Sequence, residues 1–502
     1  MSTKITLEKI NGRVHETIYG QFIEQVLTCI NGGIYDPESP FAEADGMRTD
    51  VIEKAQRLHP PVLRFPGGTV MCQYHWEDAV GPMEERITRK NLIWGGETDP
   101  SFGTAEFVMF CRKIGAEPMI CINMASGTPE EAGNWVEYCN GTGNSYYANL
   151  RRKHGYEEPF NVKYWCIGNE SYAEPDIGVH HDVNLYIRDA WEFIKFMKLT
   201  DDSIKTIIVG CDKEEWNKPV LDSLHAVTDY FSVHYYAGEG EKGLYEPFEG
   251  EVNLKKMIQK VSDLINTYPE KVTDFNPWYR FSPRSEKIQI ALDEWNIWNF
   301  ANDETYGLLP TYCWRDALWV ASILNFLVNE PSITMANMAQ MVNVIAPIIA
   351  EEKGSWFQTI GYPLQLLRNT MLGERIQVSC DSPKVDGGAA GILDAISVSA
   401  VRNEDGTIHL SVINRDMENA HEICICENKS QLSDTENHNY NYDCLFAALT
   451  KKSKMTMTTL TADSPRAVCS LEASCVHEES MMVSADRIVL PAGSVNLITI
   501  QS

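Results

Sequence analysis

Eight short apolar runs, separated by longer segments of helical periodicity, constrain this chain more than any other feature. The runs are IYGQFI (18–23), PVLRF (61–65), EPMICINM (117–124), VKYWCIGN (162–169), KTIIVG (205–210), YFSVHYY (230–236), IQIALDEW (288–295) and MANMAQMV (335–342). Between them lie segments such as GTAEFVMFCRKIG (103–115) and VNLYIRDAWEFIKFMKLT (183–200), which place apolar residues at helical spacing. Eight strands alternating with helices predict a parallel sheet closed into a (β/α)8 barrel. Several runs are apolar throughout, as strands covered on both faces must be.

After about residue 370 the pattern changes. GILDAISVSAVRNEDGTIHLSVINRD (391–416) alternates with period two around NEDG, and DRIVLPAGSVNLITI (486–500) does the same around PAG. These features predict a C-terminal antiparallel β-sandwich, jelly-roll-like, over 371–502. The strand-like STKITLEK matches the tail better than the barrel, so residues 1–15 are expected to join the sandwich and 16–370 to form the barrel. The stretch 427–465 is polar and irregular, and no element is assigned to it. A chain of 502 residues is long enough for both units.

The net charge is −27, from 43 basic and 70 acidic residues. Such a surface argues against nucleic acid and anionic membranes as partners and suits an uncharged substrate such as a sugar. The segment ALWVASILNFLV (317–328) is too short to span a bilayer. MSTKITLEKINGRV contains no apolar signal core, and the 14 cysteines show neither zinc spacing nor a disulfide framework. A cytoplasmic protein with reduced thiols is therefore expected. RFPGG lacks the surroundings of a phosphate loop, and no dinucleotide fingerprint follows any strand. No zinc site and no nucleotide or dinucleotide site is expected.

In a parallel barrel, chemistry collects at the C-terminal ends of the strands. There the apolar runs stop on polar groups: Glu24, Arg64, Asn169–Glu170, His234 with Tyr235 and Tyr236, and Asp293–Glu294. Glu170 and Glu294, three strands apart, suit glycoside hydrolysis, in which one carboxyl protonates the leaving oxygen and the other attacks the anomeric carbon or activates water. At the separation of a retaining enzyme, about 5–5.5 Å, like charge is expected to raise the proton affinity of one of the two. Strand alternation points Asp293 away from Glu294, in a structural role. Arg64 is suited to bridging strand-end carboxylates. Trp94 and Trp298 lie in loops on this side, placed either to stack on a sugar or to pin their own loops.

Taken in order, IYGQFIEQVLTCINGGIYD, VLRFPGGTVMCQYHWEDAVGP, YWCIGNE, SVHYY, LDEWNIW, ANMAQMVNVIAPI and SWFQTIGYP resemble glycoside hydrolase family 51, the retaining α-L-arabinofuranosidases. The resemblance implies Glu170 as general acid/base and Glu294 as nucleophile. It implies a furanose pocket shaped by Glu24, Arg64, Asn169, His234, Tyr236 and Gln358, with Trp94 and Trp298 at its rim. It further implies an exo-acting enzyme on arabinofuranose-containing oligosaccharides, no metal or organic cofactor, and a homo-oligomer, commonly a hexamer. The chain departs from the family at Thr69, where an Asn is usual, at Gln21 and Gln25, and over SYAEPD (171–176). These departures keep other readings open: a retaining glycosidase for another furanoside, a β-xyloside or a β-glucan, or a non-catalytic carbohydrate-binding protein.

Overall fold

The computed structural model describes residues 2–238, 243–427 and 454–501. The first strand, β1 (Thr3–Val14), lies outside the barrel. The barrel then closes from β2 (Gly20–Phe22), β3 (Val62–Phe65), β4 (Glu117–Cys121), β5 (Tyr164–Ile167), β6 (Lys205–Val209), β7 (Tyr230–Ala237), β8 (Gln289–Ile297) and β9 (Ile333–Ala339). Each run expected as a barrel strand overlaps one of these; β7 and β8 run on past the C-terminal ends of theirs, and β9 begins two residues before its run. All neighbours pair in parallel, and β9 closes the ring on β2 through Gly20 and Asn337.

Around the barrel lie α1 (Thr49–Leu58), α2 (Thr104–Ile114), α3 (Pro129–Asn140), α4 (Tyr146–Lys153), α5 (Val183–Thr200), α6 (Glu214–Leu224), α7 (Pro247–Ile265), α8 (Trp314–Asn329) and α9 (Gly361–Arg368). Local sequence sets their ends. Glu106 reaches back to accept from the Gly103 amide at 2.9 Å and starts α2, while Gly115, at φ +76°, stops it. Asp182 caps α5 by accepting from the Asn184 amide at 2.9 Å. Side chains from β3, β4, β5, β6, β8 and β9, including Met119, Cys121, Cys166 and Met335, fill the barrel interior, so it is a packed core and not a channel.

Beyond the hairpin β10 (Ile348–Glu351) and β11 (Gly354–Phe357), the chain enters its second unit. This contains β12 (Gly373–Cys380), a small hairpin of β13 (Lys384–Asp386) and β14 (Ile392–Asp394), then β15 (Ile396–Arg402), β16 (Ile408–Asn414), β17 (His421–Glu427), β18 (Lys454–Ala462), β19 (Val476–Met482), β20 (Ile488–Leu490) and β21 (Ser494–Gln501). Nine strands form one continuous sheet in the order β19-β18-β21-β16-β15-β12-β1-β17-β20. The sheet folds over on itself. Val483 donates to Met455 on β18 at 3.1 Å, and Ala485 accepts from Ile425 on β17 at 2.8 Å, so its two margins meet across a three-residue link. Ile5, Leu410, Ile425, Met457 and Ile498 belong to the apolar core enclosed between its layers.

Three details differ from the sequence reading. β1 lies between β12 and β17, antiparallel to the first and parallel to the second, so the sheet is not wholly antiparallel. The two strands flanking PAG form no hairpin: β20 pairs with β17, and β21 pairs with β16 and β18. The stretch left without elements contains β18, an interior strand on which Met455 and Met457 alternate inward; residues 428–453 lie outside the described residues.

The apolar segment 317–328 belongs to α8, which is buried on nearly every side between barrel and sheet. Its one amide explains itself: Asn325 accepts from Ser399 at 2.7 Å and donates to the Ser411 carbonyl at 3.3 Å, tying the sheet to the barrel. A buried Arg415–Glu251 pair, 2.7 Å apart, reinforces the junction. Among the described residues, no helix is long and apolar enough to cross a membrane.

Candidate active site

Because all eight barrel strands run parallel, their C-terminal ends form one rim, and the charged run-ends collect there. Arg64, buried at the end of β3, organises them. Its Nη1 donates to Glu294 Oε1 at 2.6 Å, and its Nη2 donates to Asn169 Oδ1 at 2.7 Å. Its Nε lies 3.5 Å from Asp293 Oδ2, and its guanidinium sits over the Phe22 ring, 4.9 Å from the centroid. One cation thus ties β3 to the ends of β5 and β8. The planar fork suits this work as a lysine would not.

His234 touches three carboxylates. Its Nδ1 lies 2.9 Å from Glu170 Oε1 and 3.6 Å from Glu294 Oε2, and its Nε2 lies 3.4 Å from Asp293 Oδ1. Burial alone would drive off its proton. The charges of Glu294 and Asp293 and the hydrogen bonds to Asp293 and Glu170 outweigh burial and hold the ring well above its ordinary value. Tyr236 donates to Glu294 Oε2 at 2.6 Å.

Asp293 joins the same cluster as Glu294, against the expectation of opposite faces, and accepts a further bond from Ser232 at 2.5 Å. Pairing is irregular here: register shifts fall between Ser232 and His234 on β7 and between Leu292 and Trp295 along β8. A bulge breaks the two-residue alternation, so consecutive acids reach one cluster.

Glu170 has φ +42°, in the left-handed region that disfavours a side chain. Such a conformation costs about 1–3 kcal/mol and concentrates at functional sites. Burial pushes the Glu170 carboxyl up, but the hydrogen bond and charge of His234 prevail and hold it below the ordinary carboxylate range. The expected rise within the carboxylate pair is therefore absent at Glu170, because an imidazolium lies between the two acids.

The raised carboxyl is Glu24. Burial first, and then the charge of Glu294, push it up to about 7. It accepts from the Val70 amide, Trp94 Nε1 and Gln340 Nε2, each at 3.1 Å. Gln340 Oε1 has no partner, so a turned amide gives a protonated Glu24 an acceptor. Between pH 4.5 and about 7 the folded state holds a proton that the unfolded chain releases, so this carboxyl lowers stability as pH rises. At about 1.4 kcal/mol per tenfold in proton affinity, the full loss is about 3 kcal/mol. Glu24→Gln, neutral throughout, is expected to gain on the native chain by about that much between about pH 4 and about pH 7.5 in urea unfolding. A difference that does not change with pH would show that Glu24 titrates as an ordinary acid.

The PGG sequence brings backbone against these acids. A Cβ on Gly67, at φ +155°, would meet Glu24 Cγ at 2.4 Å, and one on Gly68 would stand 3.2 Å from Glu294 Oε1 and 3.4 Å from Glu24 Oε2. Thr69 follows, and its hydroxyl lies 3.4 Å from Asp176 Oδ2, so it ties this loop to the segment after Glu170. The rim is aromatic. Trp94 hydrogen-bonds Glu24, and Trp298 meets Tyr236 edge-on with centroids 5.5 Å apart. Tyr306 links the two loops: its ring lies 5.8 Å from Trp94, and its carbonyl accepts from Trp298 Nε1 at 3.0 Å.

Gln358 is placed differently. It is buried and accepts from the Tyr312 amide at 2.8 Å and donates to the carbonyls of Ala346 at 2.9 Å and Pro310 at 3.3 Å. None of these bonds reaches the Arg64 cluster. Gln340 and Tyr306 were missed. Gln340 carried the signal used for the others, a polar residue ending an apolar strand; Tyr306, in a polar loop, carried none. Glu170, His234 and Glu294 also bring donor atoms within 4.8 Å of one another, a spacing that fits a metal ion. Arg64, bonded to that same Glu294, opposes a cation there, and the arrangement serves as an ion-pair network.

Two family profiles match in sequence. One, described as alpha-L-arabinofuranosidase 1 domain, covers residues 54–253; the other, alpha-L-arabinofuranosidase C-terminal domain, covers 293–494. A probable alpha-L-arabinofuranosidase C of Aspergillus flavus is 37% identical over 82% of this chain and 84% of its own. The chain belongs to the α-L-arabinofuranosidases of glycoside hydrolase family 51. Another family relative, described as an intracellular exo-alpha-(1->5)-L-arabinofuranosidase of Halalkalibacterium halodurans, is 35% identical over 79% of this chain and 81% of its own. The family 51 enzyme of Thermotoga petrophila superposes over 100% of both chains with a TM-score of 0.86 at 33% identity. The barrel and accessory sheet described above are thus the architecture of this glycoside hydrolase family.

Proposed function

We propose that the protein is a retaining exo-glycosidase that removes terminal α-L-arabinofuranosyl residues, with Glu294 as nucleophile and Glu170 as acid/base. One observation carries this reading: a carboxylate oxygen of Glu170 and one of Glu294 stand within 4.8 Å of each other on the barrel rim. So close an approach supports the short spacing of retaining enzymes, about 5–5.5 Å, over the about 6.5–9.5 Å of inverting ones. Barrel residues 16–370 supply the chemistry, and 1–15 with 371–502 form the accessory unit.

Arg64 and Tyr236 each hold one oxygen of Glu294 at 2.6 Å, which fixes the carboxylate plane. Glu294 attacks the anomeric carbon as the bond to the leaving oxygen breaks. That oxygen takes a proton through Glu170, which His234, 2.9 Å away, supplies with it, so that Glu170 is left a carboxylate and His234 neutral. Forming the glycosyl ester removes the Glu294 charge that holds His234 protonated. In the second step water attacks the same carbon, Glu170 accepts its proton, and Glu294 is released. Asn169, oriented by Arg64, donates to the 2-hydroxyl. Glu24, Tyr236, Trp94 and Trp298 enclose the furanose, Thr69 stands beside it, and Gln358 supports the pocket from behind through the backbone.

The relatives support the finer points. The Halalkalibacterium enzyme is described as intracellular and exo-acting, which supports a cytoplasmic enzyme that trims oligosaccharides for L-arabinose catabolism. We extend the family hexamer to this chain as well. A panel of 4-nitrophenyl glycosides tests the sugar assignment. The α-L-arabinofuranoside is expected to exceed the β-D-xylopyranoside and β-D-glucopyranoside in kcat/KM by at least about 100-fold, or about 2.7 kcal/mol. NMR should show the first-formed arabinose with the anomeric configuration of the substrate. Preference for a pyranoside, or inversion, would overturn the assignment.

A further inference from the structure

The segment 463–475, between β18 and β19, leaves the sheet and straps it to the barrel. The carbonyls of Ala467 and Pro465 accept from the amides of Trp314 and Arg315 at 2.9 and 2.8 Å. These are the first two amides of α8, which have no acceptor within their own helix. Tyr362 on α9 donates to Ser474 Oγ at 2.7 Å. Leu471 lies against the β10–β11 hairpin, where a Cβ on Gly354 would stand 3.3 Å from its Cδ1.

The far end of the strap turns back on itself. The Ser470 amide donates to the Ala473 carbonyl at 3.0 Å, and the Ala473 amide donates to Ser470 Oγ at 3.3 Å. This turn brings two cysteines together that stand six positions apart in sequence. The Cys475 amide donates to Cys469 Sγ at 3.4 Å, and the two sulfurs lie 3.2 Å apart. A formed disulfide measures about 2.05 Å, so a small movement closes the gap. The turn is free to make it, since Ser470, Glu472, Ala473 and Ser474 are all exposed. Cys424 and Cys426 differ: their sulfurs are 4.0 Å apart, and regular pairing with β1 holds them side by side on one strand. Cys469 is buried, whereas Cys475 is half-buried and reachable. Burial, and then the hydrogen bond and charge of Cys469, push the Cys475 thiol up to about 12. Little thiolate exists at neutral pH, so oxidation is slow. A thiol of high proton affinity is also a poor leaving group, so a bond once formed is slow to reduce.

We propose that Cys469 and Cys475 form a reversible oxidation site, closed by exchange with a small disulfide such as oxidised glutathione, and that the bond locks the strap. Cys475, as thiolate, attacks one sulfur of the small disulfide and expels the other as a thiolate. Cys469 then loses its proton and attacks Cys475 Sγ, expelling the second small thiolate. Two protein thiols are oxidised, one small disulfide is reduced to two thiols, and the departing thiolates take up the two protons. The pair stays open in a reducing compartment and closes when the thiol pool turns oxidised. The test incubates the full chain with excess oxidised glutathione at about pH 8, where thiolate is more plentiful. The chain is then denatured in acid, alkylated and digested with trypsin, which releases both cysteines, and no other, in one peptide, 467–487. That peptide is expected to lose the mass of two hydrogens and escape alkylation, and dithiothreitol should reverse both changes. Cys469→Ser should stop at the first step and keep glutathione on Cys475. The oxidised chain should melt at least about 2 °C above the reduced one, because the closed loop restrains the unfolded strap, and Cys475→Ser should show no such response. Circular dichroism establishes that each variant is folded. Full alkylation of both cysteines in a folded native chain, or glutathione left unresolved on native Cys475, overturns the site. A bond that forms and leaves Tm unmoved overturns the lock.

Discussion

Glu294→Ala is expected to lower kcat on an aryl α-L-arabinofuranoside by at least about 10⁴-fold, or about 5.4 kcal/mol of transition-state stabilisation. Covalent catalysis divides one hard displacement into two easier ones, and without the carboxylate neither step exists. The fold should survive. Arg64 loses its 2.6 Å partner but keeps Asn169 at 2.7 Å and Asp293 at 3.5 Å, so no cation is stranded. His234 loses the largest of the charges that hold its proton, and its titration should move down toward the ordinary range. Circular dichroism and thermal unfolding establish that the variant is folded, NMR follows His234, and initial rates give the loss. A folded variant that keeps more than about 1% of native kcat would remove Glu294 from the nucleophile role.

Glu170→Ala separates acid catalysis from nucleophilic attack. A leaving group that departs unaided, such as dinitrophenolate, needs no proton in the first step. A sugar alcohol needs one, and positioned general acids contribute about 10²–10⁴-fold. The variant should therefore retain near-native formation of the glycosyl-enzyme from the activated substrate, lose about 10³-fold or more on an oligosaccharide, and accumulate the covalent intermediate, since the base of the second step is gone. A pre-steady-state burst with the dinitrophenyl substrate, and its absence with an alkyl arabinofuranoside, is the expected signature. Equal losses on both substrates would mean that Glu170 positions the sugar and transfers no proton.

The barrel was readable because a doubly covered strand must be apolar and must end where the rim begins. Glu170 and Glu294 stood out for that reason: each closes an apolar run at the rim. The alternation rule failed at Asp293, since a bulge depends on how β8 meets its neighbours and not on its own residues. The role of His234 was hidden for a related reason. Its place at a strand end was visible, but the three carboxylates around it come from two other strand ends. The sheet unit was harder to read. β20 and β21 look like a hairpin in sequence, yet they serve opposite halves of the sheet, because long-range pairing and not the PAG turn decides their neighbours. β18 was passed over although Met455 and Met457 alternate, because the polar residues before it masked the period.

The placement of β1 also dictates an order of assembly. Its 12 residues are made before the barrel, yet its partners β12 and β17 begin only at Gly373 and His421. At about 5–20 residues per second, on the order of tens of seconds of translation separate the strand from its neighbours. Throughout that interval both of its edges are bare, and bare edges recruit foreign strands. The barrel that grows between them must therefore leave its leading segment dangling until the last quarter of the chain arrives. A nascent chain stalled after the barrel would expose that segment indefinitely, which makes the finishing of synthesis itself a condition of solubility.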